Sequence, residues 1–220
     1  MNYLLLLTWC FMVVRFIIFI FFFVFFAVHA NSQNLPTRQP KSFQQCVACH
    51  GDSAQGNSDL KAPALAGQSS GYLHRQLHNF TNGLRGKHSQ DIGGQQMAAI
   101  AKKLNTSEIT LLVNYIATLS EPQINDEKIA GDLKNGSRYY QAKCGACHGG
   151  VAQGNNMFKA PRLAAQNYAY LTLQMANFQQ GVRGTEKQDK YGRQMAMMAK
   201  TVSAKELHDI LYFINQQKVK

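Results

Sequence analysis

Charged residues are scarce in this sequence, and acidic residues are scarcer than basic ones. Only 16% of the 220 residues are charged, against 45% hydrophobic residues, so disorder is excluded and a buried core is expected. Twelve Asp and Glu stand against 23 Lys and Arg, a net charge of +11. This excess favours encounter with anionic lipid headgroups or an acidic protein face; a basic surface that serves only solubility is the alternative. The basic residues are scattered among glutamines, which argues against a nucleic-acid partner.

The first 30 residues are the most apolar part of the chain. Leu4 to Val28 contains one charge, Arg15, and positions 1–14 contain no basic residue. The apolar core before Ala30 has the length of a signal-peptide core, whereas a spanning helix of about 20 residues would bury Arg15 in the membrane. We expect residues 1–30 to be a signal peptide cleaved after Ala30, with an uncleaved anchor as the alternative. Translation from Met12 would give Arg15 the usual place of a signal peptide's positive charge, and we keep this start as a hypothesis.

The rest of the chain contains one sequence twice. A shift of 98 positions aligns residues 46–120 with 144–218 without a gap, and about 33 of the 75 aligned positions are identical. We expect two copies of one domain, at 31–120 and 135–220, joined by a charged linker at 121–134. Each copy is small for a domain that folds without a cross-link or a cofactor.

Hydrophobic spacing predicts helices in each copy and no convincing strand. One helix stops at Gly83 in the first copy and at Gly181 in the second. The last helix begins after Asn105 or Ser203, each followed three residues later by Glu, as in a capping box. A short helix should precede each cysteine pair, and in the first copy only Phe43 marks it. The predicted fold class is all-α, with two domains.

Each copy contains the motif C-x-x-C-H. Two thiols one helical turn apart can each add to one vinyl group of a haem, and the following imidazole then becomes the proximal iron ligand. The alternatives are a redox-active disulfide, half a zinc site or a structural bridge. Zinc ribbons pair such motifs about 15 to 20 residues apart, whereas these lie 98 apart and each has its own histidine. The sequence therefore predicts two covalently bound c-type haems, attached and ligated by Cys46, Cys49 and His50, and by Cys144, Cys147 and His148.

The repeat also selects candidates for the second axial ligand, because a ligand that both haems need should recur at an offset of 98. Among the methionines only Met97 and Met195 correspond, and we expect them to complete the two iron sites. Core filling is the alternative role, and Met197 or Met198 could replace Met195. A thioether opposite imidazole suits a site that passes electrons without binding oxygen or peroxide. Four histidines of the repeat have no counterpart at this offset, and we expect them to be solvated or structural rather than iron ligands: His74, His78, His88 and His208.

Further motifs recur in both copies and are shared with a known family. They are A-P-x-L-A, Y-L-x-x-Q-L/M-x-x-F-x-x-G-x-R, and Q-M-A before a final amphipathic helix. With the doubled C-x-x-C-H they make residues 46–218 resemble dihaem cytochromes c of the cytochrome c4 family. The resemblance implies two tandem class I cytochrome c domains related by pseudo-twofold symmetry, with haem propionates near their interface. It also implies that the carbonyls of Pro63 and Pro161 accept a hydrogen bond from the proximal histidines. One departure is the lack of an aromatic residue four positions before Cys46.

Arg85 and Arg183 each lie in a repeated G-x-R-G segment. They are candidates for pairing with the haem propionates, since a guanidinium matches a carboxylate in geometry and charge. The alternative is that the glycines only turn the chain and the arginines are solvated.

The function that the resemblance implies is a periplasmic, single-electron carrier, soluble or membrane-associated. Its donor would be a quinol-oxidising complex or a dehydrogenase, and its acceptor a terminal oxidase. We expect no small-molecule substrate and no catalytic residue. The alternatives are the cytochrome subunit of a dehydrogenase and a dihaem enzyme such as a peroxidase. A peroxidase needs a vacant or displaceable iron position, whereas both copies offer a matched methionine.

Overall fold

The computed structural model describes residues 38–122 and 129–217, and the regular elements among these residues are helices. Their only β-type pairings are two isolated bridges, Asn57 with Ala62 and Asn155 with Ala160, which are equivalent in the two copies. The predicted all-α class is confirmed. The expected signal peptide, its cleavage after Ala30 and the start at Met12 lie outside the described residues.

Four α-helices form the first copy, and the second copy repeats them. The first copy contains α1 (Gln44–His50), α2 (Ser70–Thr81), α3 (Ile92–Ala101) and α4 (Thr106–Ile116). The second contains α5 (Leu133–Tyr140), α6 (Tyr168–Gln179), α7 (Lys190–Ala199) and α8 (Ala204–Asn215). A 3-10 turn (Lys41–Phe43) leads into α1. A π-helical turn (Gln141–Gly145) and a last helical turn (Ala146–His148) follow α5 without a break.

A buried aromatic residue ahead of the cysteine pair packs against the last helix in each copy. Phe43 is fully buried and meets the ring of Tyr115 edge-on, with ring centroids 5.1 Å apart. Tyr140 is also fully buried, and its centroid lies 5.0 Å from that of Phe213. Phe43 stands three residues before the first cysteine and Tyr140 stands four before its own. The extra residue of the second copy lies in the wider π-helical turn Gln141–Gly145, whereas the chain from Gln44 to Cys46 is α-helical.

The capping boxes predicted for the last helices are present. The Asn105 side chain accepts a hydrogen bond from the backbone N–H of Glu108, whose carboxylate accepts one from the backbone N–H of Asn105. Ser203 and Glu206 repeat this arrangement at the start of α8. These reciprocal bonds satisfy backbone donors that a helix N-terminus otherwise leaves open.

The two capping boxes differ in one charged contact. Lys143 donates a hydrogen bond of 2.8 Å to Glu206, whereas the equivalent position 45 in the first copy is Gln. The hydrogen bond from Lys143, helped by the backbone N–H of Ser203, lowers the pKa of Glu206 to about 2 from an ordinary value of 4.5.

We expect Glu206→Gln to lower the thermal midpoint at pH 7 more than Glu108→Gln does. Glutamine still closes a capping box, so the matched Glu108→Gln substitution measures only the cost to the cap. The additional loss belongs to the ion pair with Lys143. Because the folded state lowers the pKa of Glu206, this contribution is present above pH 4.5 and disappears as the pH falls towards 2. Equal losses for the two variants at pH 7 would contradict this assignment.

The start of the second copy is anchored by contacts to its last helix. The Asp132 side chain caps α5 by accepting from the backbone N–H of Asn135, and the Asp132 backbone N–H donates to the buried Asp209 at 3.1 Å. Helix α5 thus begins at Leu133, two residues before the start predicted for the second domain.

The two copies pack in one compact unit. None of the helices in the described ranges is both long and apolar enough to cross a membrane.

Candidate haem-binding site

Each C-x-x-C-H motif ends its helix at a glycine. Gly51 follows His50 with φ of 81°, and Gly149 follows His148 with φ of 82°, a left-handed conformation that favours glycine. A Cβ atom at Gly51 would also collide with the side chain of Gln55. The histidine is therefore the last helical residue in each copy, and the chain turns sharply directly after it.

Both motif histidines are buried and held by a proline carbonyl. Nδ1 of His50 lies 2.8 Å from the carbonyl oxygen of Pro63, and Nδ1 of His148 lies 2.9 Å from that of Pro161. Burial lowers the pKa of both imidazoles, and the hydrogen bond to proline offsets this only in part. A neutral ring that donates through Nδ1 keeps Nε2 as the nitrogen able to bind iron, which is the usual arrangement of a metal-ligating histidine.

The two cysteines of each motif differ in exposure. Cys46 and Cys144 are partly buried, Cys49 and Cys147 are exposed, and no disulfide joins any of these four described cysteines. Burial raises the pKa of Cys46 and of Cys144 to about 11. A thiol with a raised pKa is not an activated nucleophile, which disfavours the redox-active disulfide. Within the described part of the chain, no three His, Cys, Asp or Glu side chains form a group that could hold a metal ion.

The two matched methionines lie on short helices capped in the same way. Asp91 caps α3 by accepting from Gly94, and Asp189 caps α7 by accepting from Gly192, each at 3.0 Å. Met97, on α3, is partly buried against a cluster formed by Phe80, Ala98 and Ala101. On α7, Met195 is partly buried, whereas Met197 and Met198 are 63% and 41% exposed. Met195 is thus the least exposed of the three methionines on α7.

Two buried glutamines join the copies through reciprocal contacts. The Gln68 side chain accepts from the backbone N–H of Arg162 and donates to its carbonyl, both at 3.0 Å. The Gln166 side chain does the same with the backbone of Ala64, at 2.8 and 3.0 Å. Positions 64 and 162, like 68 and 166, are 98 apart, so these contacts follow pseudo-twofold symmetry.

Arg85 and Arg183 are buried at this interface, so neither is a solvated surface residue. Arg85 donates to Gln76 of its own copy at 2.7 Å and to Gln174 of the other at 3.1 Å. Arg183 donates to Gln174 at 2.6 Å and to Gln76 at 3.1 Å. Arg85 also donates to the hydroxyl of Tyr170 at 3.2 Å. Burial raises the pKa of Tyr170, but the two guanidinium groups outweigh burial and the net effect is a lowered pKa.

The residues fit a c-type haem in one further respect. The Nε atoms of Arg85 and Arg183 are buried and have no hydrogen-bond partner among residues 38–122 and 129–217. A buried donor normally has an acceptor, and a carboxylate such as a haem propionate would supply one. Each copy thus combines two thiols, a proline-held imidazole and an unpartnered buried N–H.

Sequence reasoning missed several residues at this interface. Gln68, Gln76, Gln166 and Gln174 were assigned no role, although the first pair is identical to the second at the offset of 98. That identity was an available signal, because a repeat preserves more than the residues that bind a cofactor. The helices α3 and α7 were also not predicted, although Asp91 and Asp189 are typical N-cap residues.

Two helical domains, each with a C-x-x-C-H motif and a proline-held histidine, define a c-type cytochrome with two haem sites. The Cytochrome c family model matches residues 40–120 and 133–218. Cytochrome c4 of Thiocapsa roseopersicina is 31% identical over 149 residues, 64% of this chain and 72% of that protein. A protein of Thiomonas intermedia named thiosulfate dehydrogenase electron acceptor is 30% identical over 159 residues, 66% of this chain and 67% of that protein.

The same relationship appears in three dimensions. The structure of Acidithiobacillus ferrooxidans cytochrome c4 matches with a TM-score of 0.64 and 26% identity, covering 78% of this chain and 98% of that one. The chain belongs to the cytochrome c family, as a dihaem, cytochrome c4-like electron carrier. Its two motifs bind two c-type haems covalently, through Cys46 and Cys49 and through Cys144 and Cys147.

Proposed function

We propose that this cytochrome carries single electrons in a periplasmic respiratory chain, with both irons closed by histidine and methionine. The observation that carries the proposal is the repeated site: a buried histidine held by a proline carbonyl, and a matched methionine on a capped helix, occur in both copies. Two closed sites of one kind suit electron passage better than substrate chemistry. The periplasmic location rests on the expected signal peptide.

His50 and Met97 would hold one iron, and His148 and Met195 the other. Bound haem supplies a one-electron ferric–ferrous couple. The carbonyls of Pro63 and Pro161 orient the imidazoles. The thioethers favour the ferrous state and raise the reduction potential.

The partners in this proposal are redox proteins. The donor would be a quinol-oxidising complex or a dehydrogenase, and the acceptor a terminal oxidase. The Thiomonas relative, named as the electron acceptor of thiosulfate dehydrogenase, supports a dehydrogenase on the donor side. The basic excess of the chain suits an acidic docking face on either partner and also peripheral contact with anionic lipid.

A second candidate is the permanent cytochrome subunit of a dehydrogenase. The name of the Thiomonas relative favours this candidate as well. Gel filtration of untagged protein extracted from its native cells separates the two. A free carrier elutes near its own mass, whereas a subunit elutes with its dehydrogenase.

The proposed function is tested by electron delivery from the haem-loaded, pre-reduced protein to membranes that contain a terminal oxidase. We expect oxygen consumption to depend on the cytochrome and to stop with cyanide, and the protein to deliver two electrons per chain. Lack of reoxidation by the membranes, with normal reoxidation by ferricyanide, would contradict the proposed place in a respiratory chain.

A further inference from the structure

The loops that follow the two haem-binding motifs have the same backbone and different surfaces. Each loop is tied at its start, because the backbone N–H of Gly56 donates to the carbonyl of His50 and that of Gly154 donates to His148, both at 2.8 Å. Each is closed by its β-bridge and ends at the proline that holds the motif histidine. Any functional difference between the loops 51–62 and 149–160 therefore lies in their side chains.

The second loop has lost the acidic residues of the first and exposes apolar ones. Asp52 and Asp59 of the first loop correspond to Gly150 and Met157, so the loop 149–160 has no acidic residue. Its exposed apolar side chains are Val151, Met157 and Phe158, at 45%, 91% and 57% exposure. These three residues and the exposed Lys159 are called the second-loop patch below.

The second-loop patch is also held in place by the other copy. Arg75, on α2, donates to the carbonyl of Lys159 at 2.6 Å, and its guanidinium lies 4.8 Å from the ring centroid of Tyr191. The Lys190 ammonium nitrogen lies 5.8 Å from the same ring centroid. The residue equivalent to Arg75 in the second copy is Leu173, which cannot hold the first loop in this way. The patch is thus a fixed apolar surface bordered by cations.

We propose that the second-loop patch docks the redox partner, and that the partner presents an apolar surface with an acidic rim. This inference rests on the proposed function and adds that partners meet the second domain rather than the first. Three apolar side chains on one loop fit the small interfaces, below about 1,200 Å², of transient electron-transfer complexes. Apolar patches that are exposed among the described residues commonly mark interaction sites.

Two other occupants fit the patch less well. Binding to anionic lipid usually needs a cluster of about four to eight Lys or Arg, whereas the loop 149–160 carries one lysine. A second copy of the chain would bring its own excess of basic residues, and repulsion between the two positive charges opposes that contact.

The test transfers the side chains of the first loop to the second. Met157→Asp with Phe158→Leu installs the residues that positions 59 and 60 carry on the same backbone, so the loop should keep its conformation. The matched control, Leu60→Asp, removes an exposed apolar side chain and adds the same charge in the first copy. Rates are measured with haem-loaded protein at low ionic strength, with purified thiosulfate dehydrogenase as donor and oxidase-containing membranes as acceptor.

We expect the double variant to react about tenfold more slowly with at least one of these probes, as for loss of a central interface contact. The electron-transfer rates of the Leu60→Asp control should stay within about twofold of those of the unmodified protein. Ascorbate should reduce the unmodified protein, the double variant and the control at equal rates. Lys159→Gln, which leaves the apolar side chains in place, should weaken the dependence of the rate on salt, whereas Lys61→Gln should not.

Several outcomes would overturn this assignment. Equal rates for the double variant and the unmodified protein would exclude docking at the patch. Two further results would exclude it: the unmodified protein binds phosphatidylglycerol vesicles, or dimerises in sedimentation velocity, and the double substitution abolishes that binding or dimerisation. The patch would then serve lipid binding or self-association. If the unmodified protein exchanges electrons with neither probe, the proposed function itself fails and the docking surface fails with it.

Discussion

Met97→Ala should leave one haem able to bind carbon monoxide when the protein is reduced. Removing the thioether opens a coordination position at the first iron and leaves the second iron closed, so half of the haem should change its absorption spectrum. The reduction potential of the opened site should also fall, because the thioether no longer favours the ferrous state. Absorption spectroscopy with a carbon monoxide titration measures the fraction directly.

The second copy offers a sharper version of this experiment. Met195→Ala should open the second iron, whereas Met197→Ala and Met198→Ala should change nothing, because both of these side chains are exposed to solvent, Met195 less so. Carbon monoxide binding by the Met197 or Met198 variant, with none by the Met195 variant, would show that the ligand was assigned to the wrong residue of this helix.

Arg85→Met should destabilise the packing of the two copies by about 3 kcal/mol, the scale of removing hydrogen bonds to a buried charged group. Arg85 bonds to Gln76, Gln174 and Tyr170, so its loss removes hydrogen bonds within and between the copies and leaves Arg183 as the only arginine donor to the two glutamines in the described residues. Thermal unfolding should begin at a lower temperature and separate into two transitions as the domains uncouple. If Arg85 also pairs with a haem propionate, a reduction potential should fall, since a cation that disfavours the ferric state is lost.

Arg138 provides the matched control for this prediction. It is exposed on α5 and donates to Asn135 at 3.2 Å, so Arg138→Met should cost less than about 1 kcal/mol. Arg85→Lys keeps the charge and loses the planar guanidinium that reaches several acceptors. Its loss of stability should therefore lie between those of Arg138→Met and Arg85→Met. If the Arg85→Met variant is as stable as the Arg138→Met variant, the hydrogen bonds of Arg85 do not stabilise the interface between the copies.

The parts of the fold that follow from local sequence were predicted, and the part that depends on tertiary contacts was not. Asn105 and Ser203 cap the last helices as expected, because a capping box is decided within four residues. Helix α3 was missed because Gly93 and Gly94 hide its helical pattern, and only the Asp91 cap marks it.

The same distinction holds for the site. C-x-x-C-H and the offset of 98 predict the attachment cysteines, because both patterns are visible along the chain. The roles of Gln68 and Gln166 depend on bonds to residues more than 90 positions away, which no local pattern shows. The sequence does not decide whether Arg85 pairs with a propionate or is solvated, because burial is a property of the assembled copies.

The central claim is that both irons are closed by a histidine and a methionine, and carbon monoxide tests it most directly. The unmodified, haem-loaded protein is fully reduced without oxygen, and its absorption spectrum is recorded before and after carbon monoxide is added. We predict no change at either haem. A change at one or both haems would mean that Met97 or Met195 is not a firm ligand, and would contradict the account of this protein as a carrier with two closed sites.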